Sequence, residues 1–160
     1  MPKTYFITGA EGVGKTTILK SLIKKFPNMK IHDFDEIGVP ENPPLQWRLD
    51  TTLFWIREAI KNHRKGLSTC IIGLSFPSEI VKYKESRELG DIVFILLDVN
   101  EKERKFRLSK RGASREVVED LEQRDKLREE FENNKNKIDT SNLSEKGVVD
   151  RLYNIVKSKL

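Results

Sequence analysis

The sequence has almost none of the residues from which disulfide and zinc frameworks are built. It contains one cysteine, Cys70, and two histidines among 160 residues. An internal disulfide therefore cannot form, and a cysteine-based zinc site cannot be assembled. Because Cys70 lies in the apolar run Thr69-Cys70-Ile71-Ile72, we expect it to be a core residue and not a reactive thiol.

Long apolar runs are also missing. No run approaches the roughly 20 residues that a helix needs to cross a bilayer. The N-terminus has a single lysine before Tyr5 and lacks the apolar segment and cleavage site of an exported precursor. These features predict a cytoplasmic protein without a membrane span.

Positive charge exceeds negative charge only modestly, with a formal net charge of +5. A basic chain attracts polyanions, so the composition admits nucleic acid as a partner. The basic residues are scattered, however, and no aromatic-rich strand pair or zinc pattern accompanies them. Nucleic acid is therefore possible as a partner but not favoured.

Apolar segments of strand length alternate with helical patterns along the whole chain. We predict strands over residues 4–8, 30–34, 68–72, 91–97 and 137–140. The alternation is typical of an α/β fold, in which helices cover both faces of a parallel sheet. The length is that of one ordinary domain, and no linker or repeat divides it.

The helical patterns come with recognisable beginnings and ends. Asn100 with Glu103 three residues later predicts a capping pair at the start of a helix. Residues 112–114, Gly-Ala-Ser, break the chain, and Val117, Leu121, Leu127 and Phe131 then predict one further helix.

The most informative segment runs from Gly9 to Thr16 and fits the phosphate-binding pattern G-x-x-x-x-G-K-[ST] between a strand and a helix. Its backbone N–H groups would surround the phosphates of a nucleoside triphosphate. Lys15 would reach the β- and γ-phosphates, and the Thr16 hydroxyl would ligate Mg²⁺. The expected nucleotide contacts are Gly9, Ala10, Glu11, Gly12, Val13, Gly14, Lys15, Thr16 and Thr17.

Ligands of open α/β sheets lie beyond the carboxyl ends of the strands. Asp33 and Asp35 follow the second strand, and they would share one side if that strand continues. One could hold magnesium while the other accepts a proton from a substrate hydroxyl. Asp98 competes for the metal and ranks second, whereas Gly73 stands where many nucleotide hydrolases place a magnesium-organising aspartate.

Arginines gather after the fourth strand. Arg107 and Arg111 share a helix face with Arg104, and Arg115 follows a short break, so this region could close over a triphosphate. Arg104 itself we expect at the solvated surface. Arg124 lies on an otherwise apolar stripe, where it either extends outward or contacts an anion.

Two tryptophans lie eight residues apart on the helix after a proline-rich loop. They occupy opposite edges of one face, so at least one should be a core residue. Trp47, beside Arg48 at the start of the helix, is the better candidate for contact with an acceptor.

In order and spacing, these elements resemble the small P-loop kinases: shikimate kinase, gluconate kinase and the nucleoside monophosphate kinases. The resemblance rests on the loop, the D-x-D at Asp33, the R-L-x-x-R at Arg107, Arg124 and the Ile138-Asp139-Thr140 ending. It implies a three-layer sandwich with a five-stranded parallel sheet in the order 2-3-1-4-5. It also implies one domain over residues 1–160, with an acceptor-binding insertion at about 36–66 and a short lid at about 108–120.

The resemblance further implies that Asp33 helps to hold magnesium and Asp35 meets the acceptor. Arg107, Arg111 and Arg115 would belong to the lid, and Arg124 to the helix that leaves it. Two departures matter: residues 73–75, Gly-Leu-Ser, replace the glycine triplet of shikimate kinases, and residues 73–77 lack the acid and arginine of the adenylate-type D-G-x-P-R. The acceptor therefore stays open.

The expected function is transfer of the γ-phosphate of ATP, with Mg²⁺, to a small-molecule acceptor. Lys15, Asp35, Arg107, Arg111 and Arg124 would act in catalysis, and Asp35, Trp47 and Arg48 would bind the acceptor. The alternatives are a nucleoside monophosphate kinase, a regulatory nucleotide-binding module with little turnover, and a polynucleotide end kinase. The choice between ATP and GTP is not decided by these residues.

Overall fold

Five short parallel strands form one sheet in the computed structural model, which describes residues 1–159. The strands are β1 (Thr4–Thr8), β2 (Lys30–Asp33), β3 (Thr69–Ile72), β4 (Ile92–Asp98) and β5 (Lys137–Asp139). Their spatial order is β2-β3-β1-β4-β5, so both the α/β class and the order 2-3-1-4-5 are confirmed. Each observed strand end lies within one residue of the predicted one.

Helices connect the strands and cover the sheet. They are α1 (Lys15–Lys25), α2 (Leu45–Arg64), α3 (Pro77–Val81), α4 (Glu101–Lys110), α5 (Arg115–Glu119), α6 (Glu122–Glu130) and α7 (Glu145–Lys159). Two 3-10 segments, Phe34–Ile37 and Lys84–Leu89, complete the elements. Within residues 1–159, no helix is both long and apolar enough to cross a membrane.

The side chains of β1 alternate between the two faces of the sheet, as the period of two in a strand requires. Tyr5 and Ile7 join the core that α1 and α7 cover, whereas Phe6 belongs to the core beneath α2. Both cores are fully buried, which gives the three layers that the sequence predicts. Cys70 lies in the first core, where burial raises the pKa of its thiol to about 12.

The chain after Ser114 differs from the prediction of one helix. Two helices, α5 and α6, meet at Asp120, whose backbone is extended. The Asp120 carboxylate accepts a hydrogen bond of 3.0 Å from the Glu122 N–H and so begins the second helix. The expected cap of α4 is confirmed, since the Asn100 side chain accepts from the Glu103 N–H at 2.8 Å.

The parallel register brings the chemically important loops to one edge. Ile7 pairs with Ile72 and Thr8 pairs with Leu96, so β1 and β3 end at the same edge, where β4 continues for two more residues to Asp98. Asp33 pairs with Ile72 and therefore ends at the same edge. The first residues beyond these strands, including Gly9 and Gly73, lie next to one another there.

Candidate functional site

The loop between β1 and α1 has the backbone geometry that only glycine adopts easily. Gly12 and Gly14 have φ values of 87° and 95°. Gly9 has no room for a side chain, because a Cβ there would lie 2.6 Å from the Leu97 carbonyl oxygen. Gly14 precedes α1 and provides no side-chain cap, so the first N–H groups of that helix are free to meet an anion.

Lys15, the first residue of α1, turns back over this loop. Its ammonium group donates a hydrogen bond to the Gly9 carbonyl oxygen. Burial lowers the pKa of Lys15 to about 8, although Asp35, Glu11 and Asp33 act in the opposite direction. The structure therefore holds a desolvated cation beside the loop, an arrangement that a bound polyanion would stabilise.

A cavity of about 340 Å³ opens at the carboxyl edge of the sheet, beside this loop. It brings together most of the residues singled out in the sequence: Ala10, Glu11, Gly12, Gly14, Lys15, Thr16, Asp33, Asp35, Trp47, Arg48 and Arg111. Gln123 of α6 also lines it and was missed, because no pattern in the sequence distinguishes a single glutamine on a polar helix. The cavity is lined both by residues of the phosphate loop and by the two carboxylates of Asp33 and Asp35.

Asp33 and Asp35 reach the cavity by a different route from the one predicted. β2 ends at Asp33 and the chain enters a 3-10 segment, so strand alternation is not what brings the two carboxylates together. The Asp33 side chain caps this segment by accepting the Asp35 N–H at 2.9 Å. Burial and the neighbouring Asp33 raise the pKa of the Asp35 carboxyl, while Lys15 partly opposes this shift.

A group of three or more His, Cys, Asp or Glu side chains that could hold a metal does not occur in the described part of the chain. Mg²⁺ is commonly held by one or two protein oxygens together with water and substrate phosphates. Thr16 and Asp33 line the cavity together and offer a hydroxyl and a carboxylate, which are suitable ligands. These residues fit the magnesium role but do not form a site independent of the nucleotide.

Gly73 occupies the position after β3 for a steric reason. A Cβ on this residue would lie 2.3 Å from the Cβ of Phe34. A side chain, including an aspartate, would thus displace the segment that carries Asp33 and Asp35. Asp98, the second metal candidate, forms an ion pair with Arg128 at 2.9 Å and also accepts the Val99 N–H.

Arg107 contacts the outer side of the phosphate loop. Its guanidinium donates to the carbonyl oxygen of Thr140 at 2.8 Å, to the Thr140 hydroxyl at 3.0 Å and more weakly to the Val13 carbonyl. Arg107 and Thr140 line a second cavity of about 330 Å³ together with Thr17. Arg107 thus joins α4 to the loop after β5.

The other predicted arginines differ in position. Arg111 lines the main cavity and lies 3.8 Å from Glu11, so it is close to the phosphate loop. Arg124 is not among the cavity residues. Its guanidinium pairs with Glu101 at 2.6 Å and with Asp125 at 3.1 Å. A role for Arg124 in contacting an anion stays a prediction, and it requires these pairs to open.

The position of Arg104 differs from the predicted one, which was the solvated surface. It is only 2% exposed and donates to the carbonyl oxygens of Val117, Val118 and Asp120. These carbonyls end α5, where helical hydrogen bonds run out. Arg104 therefore joins the end of α5 to α4.

Trp47 and Trp55 differ in burial, and one of them is a core residue, as predicted. Trp55 is buried and its indole N–H donates to the Phe34 carbonyl oxygen at 2.9 Å. Trp47 is half-buried, lines the cavity and meets the Phe34 ring edge-on at 6.0 Å.

Arg48 also lines the cavity, but it is paired. Its Nε and Nη2 donate to the two carboxylate oxygens of Glu79 at 3.0 and 2.8 Å. Burial alone would raise the pKa of the Glu79 carboxyl, yet the bonds from Arg48 outweigh it and lower that pKa. Glu79 was missed as part of the site, because nothing in the sequence pairs it with a residue 31 positions away.

Solved structures with a similar fold cover nearly the whole chain. A sugar kinase from Janibacter sp. HTCC2649 is 19% identical, with a TM-score of 0.76 over 98% of this chain and 95% of that one. A shikimate kinase from Acinetobacter baumannii is 14% identical, with a TM-score of 0.61 and coverage of 99% and 95%. A thymidylate kinase from Candida albicans is 14% identical, with a TM-score of 0.62 and coverage of 99% and 92%.

By sequence, the chain matches no protein-family model and no curated protein. At identities below 20%, the structural likeness establishes the fold and leaves the chemistry to the residues of the site.

Proposed function

From the P-loop kinase fold that this chain adopts, we propose a phosphotransferase that moves the γ-phosphate of ATP to a hydroxyl group of a small molecule. One observation carries the proposal: a single cavity joins the phosphate loop and Lys15 to a wall that bears Asp33 and Asp35. A donor site and a proton acceptor thus face the same space, which phosphoryl transfer requires.

On the donor side, the loop amides and Lys15 bind the polyphosphate, and Lys15 stabilises charge on the group in transfer. Arg111 adds positive charge from the lid side of the cavity. Thr16 and Asp33 would hold Mg²⁺, which would supply further neutralisation of the phosphates. The loop through Gly112 connects α4 to the lid helix α5 and would allow the lid to close and exclude water.

On the acceptor side, Asp35 orients the hydroxyl and takes its proton. The raised pKa of its carboxyl makes the carboxylate a better base than an ordinary aspartate. Asp33 keeps the Asp35 backbone in place through the 2.9 Å hydrogen bond to the Asp35 N–H. In this proposal Asp33 contacts the metal and Asp35 contacts the acceptor.

The nucleoside monophosphate alternative places a base on Trp47 and a phosphate on Arg48. The phosphate would meet the remaining guanidinium nitrogen, Nη1, because the bidentate pair with Glu79 already uses Nε and Nη2. A regulatory nucleotide-binding module is the second alternative, and the absence of an acid at Gly73 favours it. A polynucleotide end kinase is the third, supported only by the basic net charge.

Transfer of labelled γ-phosphate from ATP in the presence of Mg²⁺ tests the proposal. The acceptors would be sugars, nucleosides, nucleoside monophosphates and oligonucleotides, and a thermal-shift series with the same compounds would report binding. We expect label on a small hydroxyl compound. Label on none of them, with free phosphate as the only product, would remove the kinase assignment and favour the regulatory module.

A further inference from the structure

The charges on the acceptor side of the main cavity are unbalanced. The acceptor wall is defined as the part of the cavity lining formed by residues 33–35, 39, 43, 47–48 and 72–74. Asp33 and Asp35 bring two carboxylates to this wall, and Arg48 is its single cation. The remaining positive groups of the lining, Lys15 and Arg111, lie at the phosphate loop, where the donor phosphates require them.

The positive charge of Arg48 is already paired with the carboxylate of Glu79, which Lys126 also contacts. Its bidentate partner Glu79 is 13% exposed and is held ionised by the hydrogen bonds from Arg48. The guanidinium also lies over the Phe76 ring, with 4.9 Å between its central carbon and the ring centroid. A second cation, Lys126, lies 3.4 Å from Glu79 on the same side and 4.1 Å from the Phe76 centroid. The Arg48–Glu79 pair is thus held by its two hydrogen bonds, by the Phe76 ring and by Lys126, and it forms a fixed part of the acceptor wall.

The rest of the acceptor wall is apolar. It is formed by the side chains of Phe34, Val39, Pro43, Trp47, Ile72 and Leu74. Trp47 presents a large aromatic surface to the cavity, and its indole is held against Phe34. A wall of this kind favours a flat or apolar molecular face and provides hydroxyl recognition only through the two carboxylates.

We infer that the acceptor is an uncharged hydroxyl compound with a flat or apolar face, of the nucleoside or glycoside class, and that acidic acceptors are rejected. The inference rests on the proposed phosphotransfer and narrows its substrate class. An anionic acceptor would lose its hydration beside the Asp35 carboxylate, and the one cation of the acceptor wall, Arg48, already pairs with Glu79. A neutral hydroxyl compound carries no such cost and can donate its hydroxyl to Asp35.

Matched pairs of acceptors that differ in charge test the inference. We would compare pyrimidine nucleosides with their 5′-monophosphates, and methyl glycosides with the corresponding uronates, by kcat/KM for labelled phosphate transfer from ATP. We expect the neutral member of at least one pair to exceed its anionic partner by about tenfold or more. Equal or higher kcat/KM for the anionic members would overturn the inference and leave the kinase assignment intact.

The Glu79→Gln variant supplies a second, positive test. It removes the charge that neutralises Arg48 but keeps an acceptor for one hydrogen bond. We expect kcat/KM for the anionic members to rise by about tenfold while nucleotide binding is unchanged. Glu88→Gln is the matched control, because it removes the same charge from an exposed pair with Arg64 and should alter neither class of acceptor.

Failure of the proposed function can be distinguished from failure of the inference about the acceptor. If the folded chain binds no ATP analogue, as judged by calorimetry, the proposed function and the inference fail together. If it binds the analogue and an anionic compound accepts phosphate while no neutral compound does, the inference alone is wrong. Unchanged rejection of anions by Glu79→Gln would show that the Arg48–Glu79 pair does not set the selectivity.

Discussion

The guanidinium of Arg104 donates a hydrogen bond of 2.7 Å to the carbonyl oxygen of Asp120, where α5 ends. The same side chain lies against the phosphate loop, since a Cβ placed on Gly12 would be 3.3 Å from the Arg104 Cγ. One buried residue therefore contacts both the loop and the lid helix. This relationship explains why an arginine occupies a position that is almost fully buried.

Replacing Arg104 with methionine should destabilise the protein by about 2 kcal/mol or more, because the Val118 and Asp120 carbonyls lose the guanidinium and the Val117 carbonyl keeps only the Asp120 N–H. Denaturant unfolding measures the change. The matched control is Lys105→Met on the same helix, where the side chain is exposed, and it should change the unfolding free energy by less than about 0.5 kcal/mol. Equal effects of the two variants would show that the Arg104 contacts contribute nothing.

Gly73→Ala should cost about 1 to 3 kcal/mol, since the new Cβ would lie 2.3 Å from that of Phe34. Phe34 lies between the two aspartates, so the displacement should also reduce phosphate transfer. Gly147→Ala is the control, because its Cβ would have only ordinary contacts at 3.5 Å within α7. That variant should be neutral or slightly stabilising. Full activity and stability in Gly73→Ala would contradict the steric account.

The sequence predicted the sheet and the phosphate loop well, because both depend on local patterns. The strand β4 is an unbroken apolar run, and the loop is a fixed spacing of glycines before Lys15. The pairing of Arg48 with Glu79 and the burial of Arg104 could not be predicted. Both depend on contacts between distant elements, and an arginine on a helix looks the same in sequence whether it is exposed or buried.

The prediction for Asp33 and Asp35 shows a different limit. Both residues line the predicted cavity, but the reason given from the sequence was wrong, because the strand ends and a 3-10 segment begins. The side chains of Asp33 and Glu36 accept hydrogen bonds from backbone N–H groups and thereby stabilise a capped turn in place of a longer strand.

Lys15→Met should abolish nucleotide binding and yet stabilise the free protein at pH 7 by about 1 to 3 kcal/mol, because a buried charge is removed. The folded-state pKa of about 8 lies below the ordinary 10.5 of lysine. Between these values the unfolded chain binds more protons, so the stability of the parent rises with pH and the advantage of the variant shrinks.

Thermal unfolding from pH 7 to pH 10 measures this change. Lys20→Met, at an exposed position of the same helix, should show no such pH-dependent difference. A parent stability that stays flat or falls over this range, relative to Lys15→Met, would contradict the assigned burial of the ammonium group.

Asp35→Asn should preserve binding of ATP and Mg²⁺ while reducing phosphate transfer by at least about a hundredfold, because the proton acceptor is lost. Steady-state transfer and calorimetric binding separate the two effects. Glu41→Gln, an exposed acid in the loop that follows, is the control and should transfer at the parent rate. Turnover of Asp35→Asn within threefold of the parent would remove Asp35 from the mechanism.

The most direct test of the central claim is a calorimetric titration of the full chain with a non-hydrolysable ATP analogue and Mg²⁺, repeated with the GTP analogue. We expect one binding site per chain that is lost in Lys15→Ala, since the phosphate loop and its lysine hold the polyphosphate. Absence of binding heat from both analogues, with protein that circular dichroism shows to be folded, would contradict it.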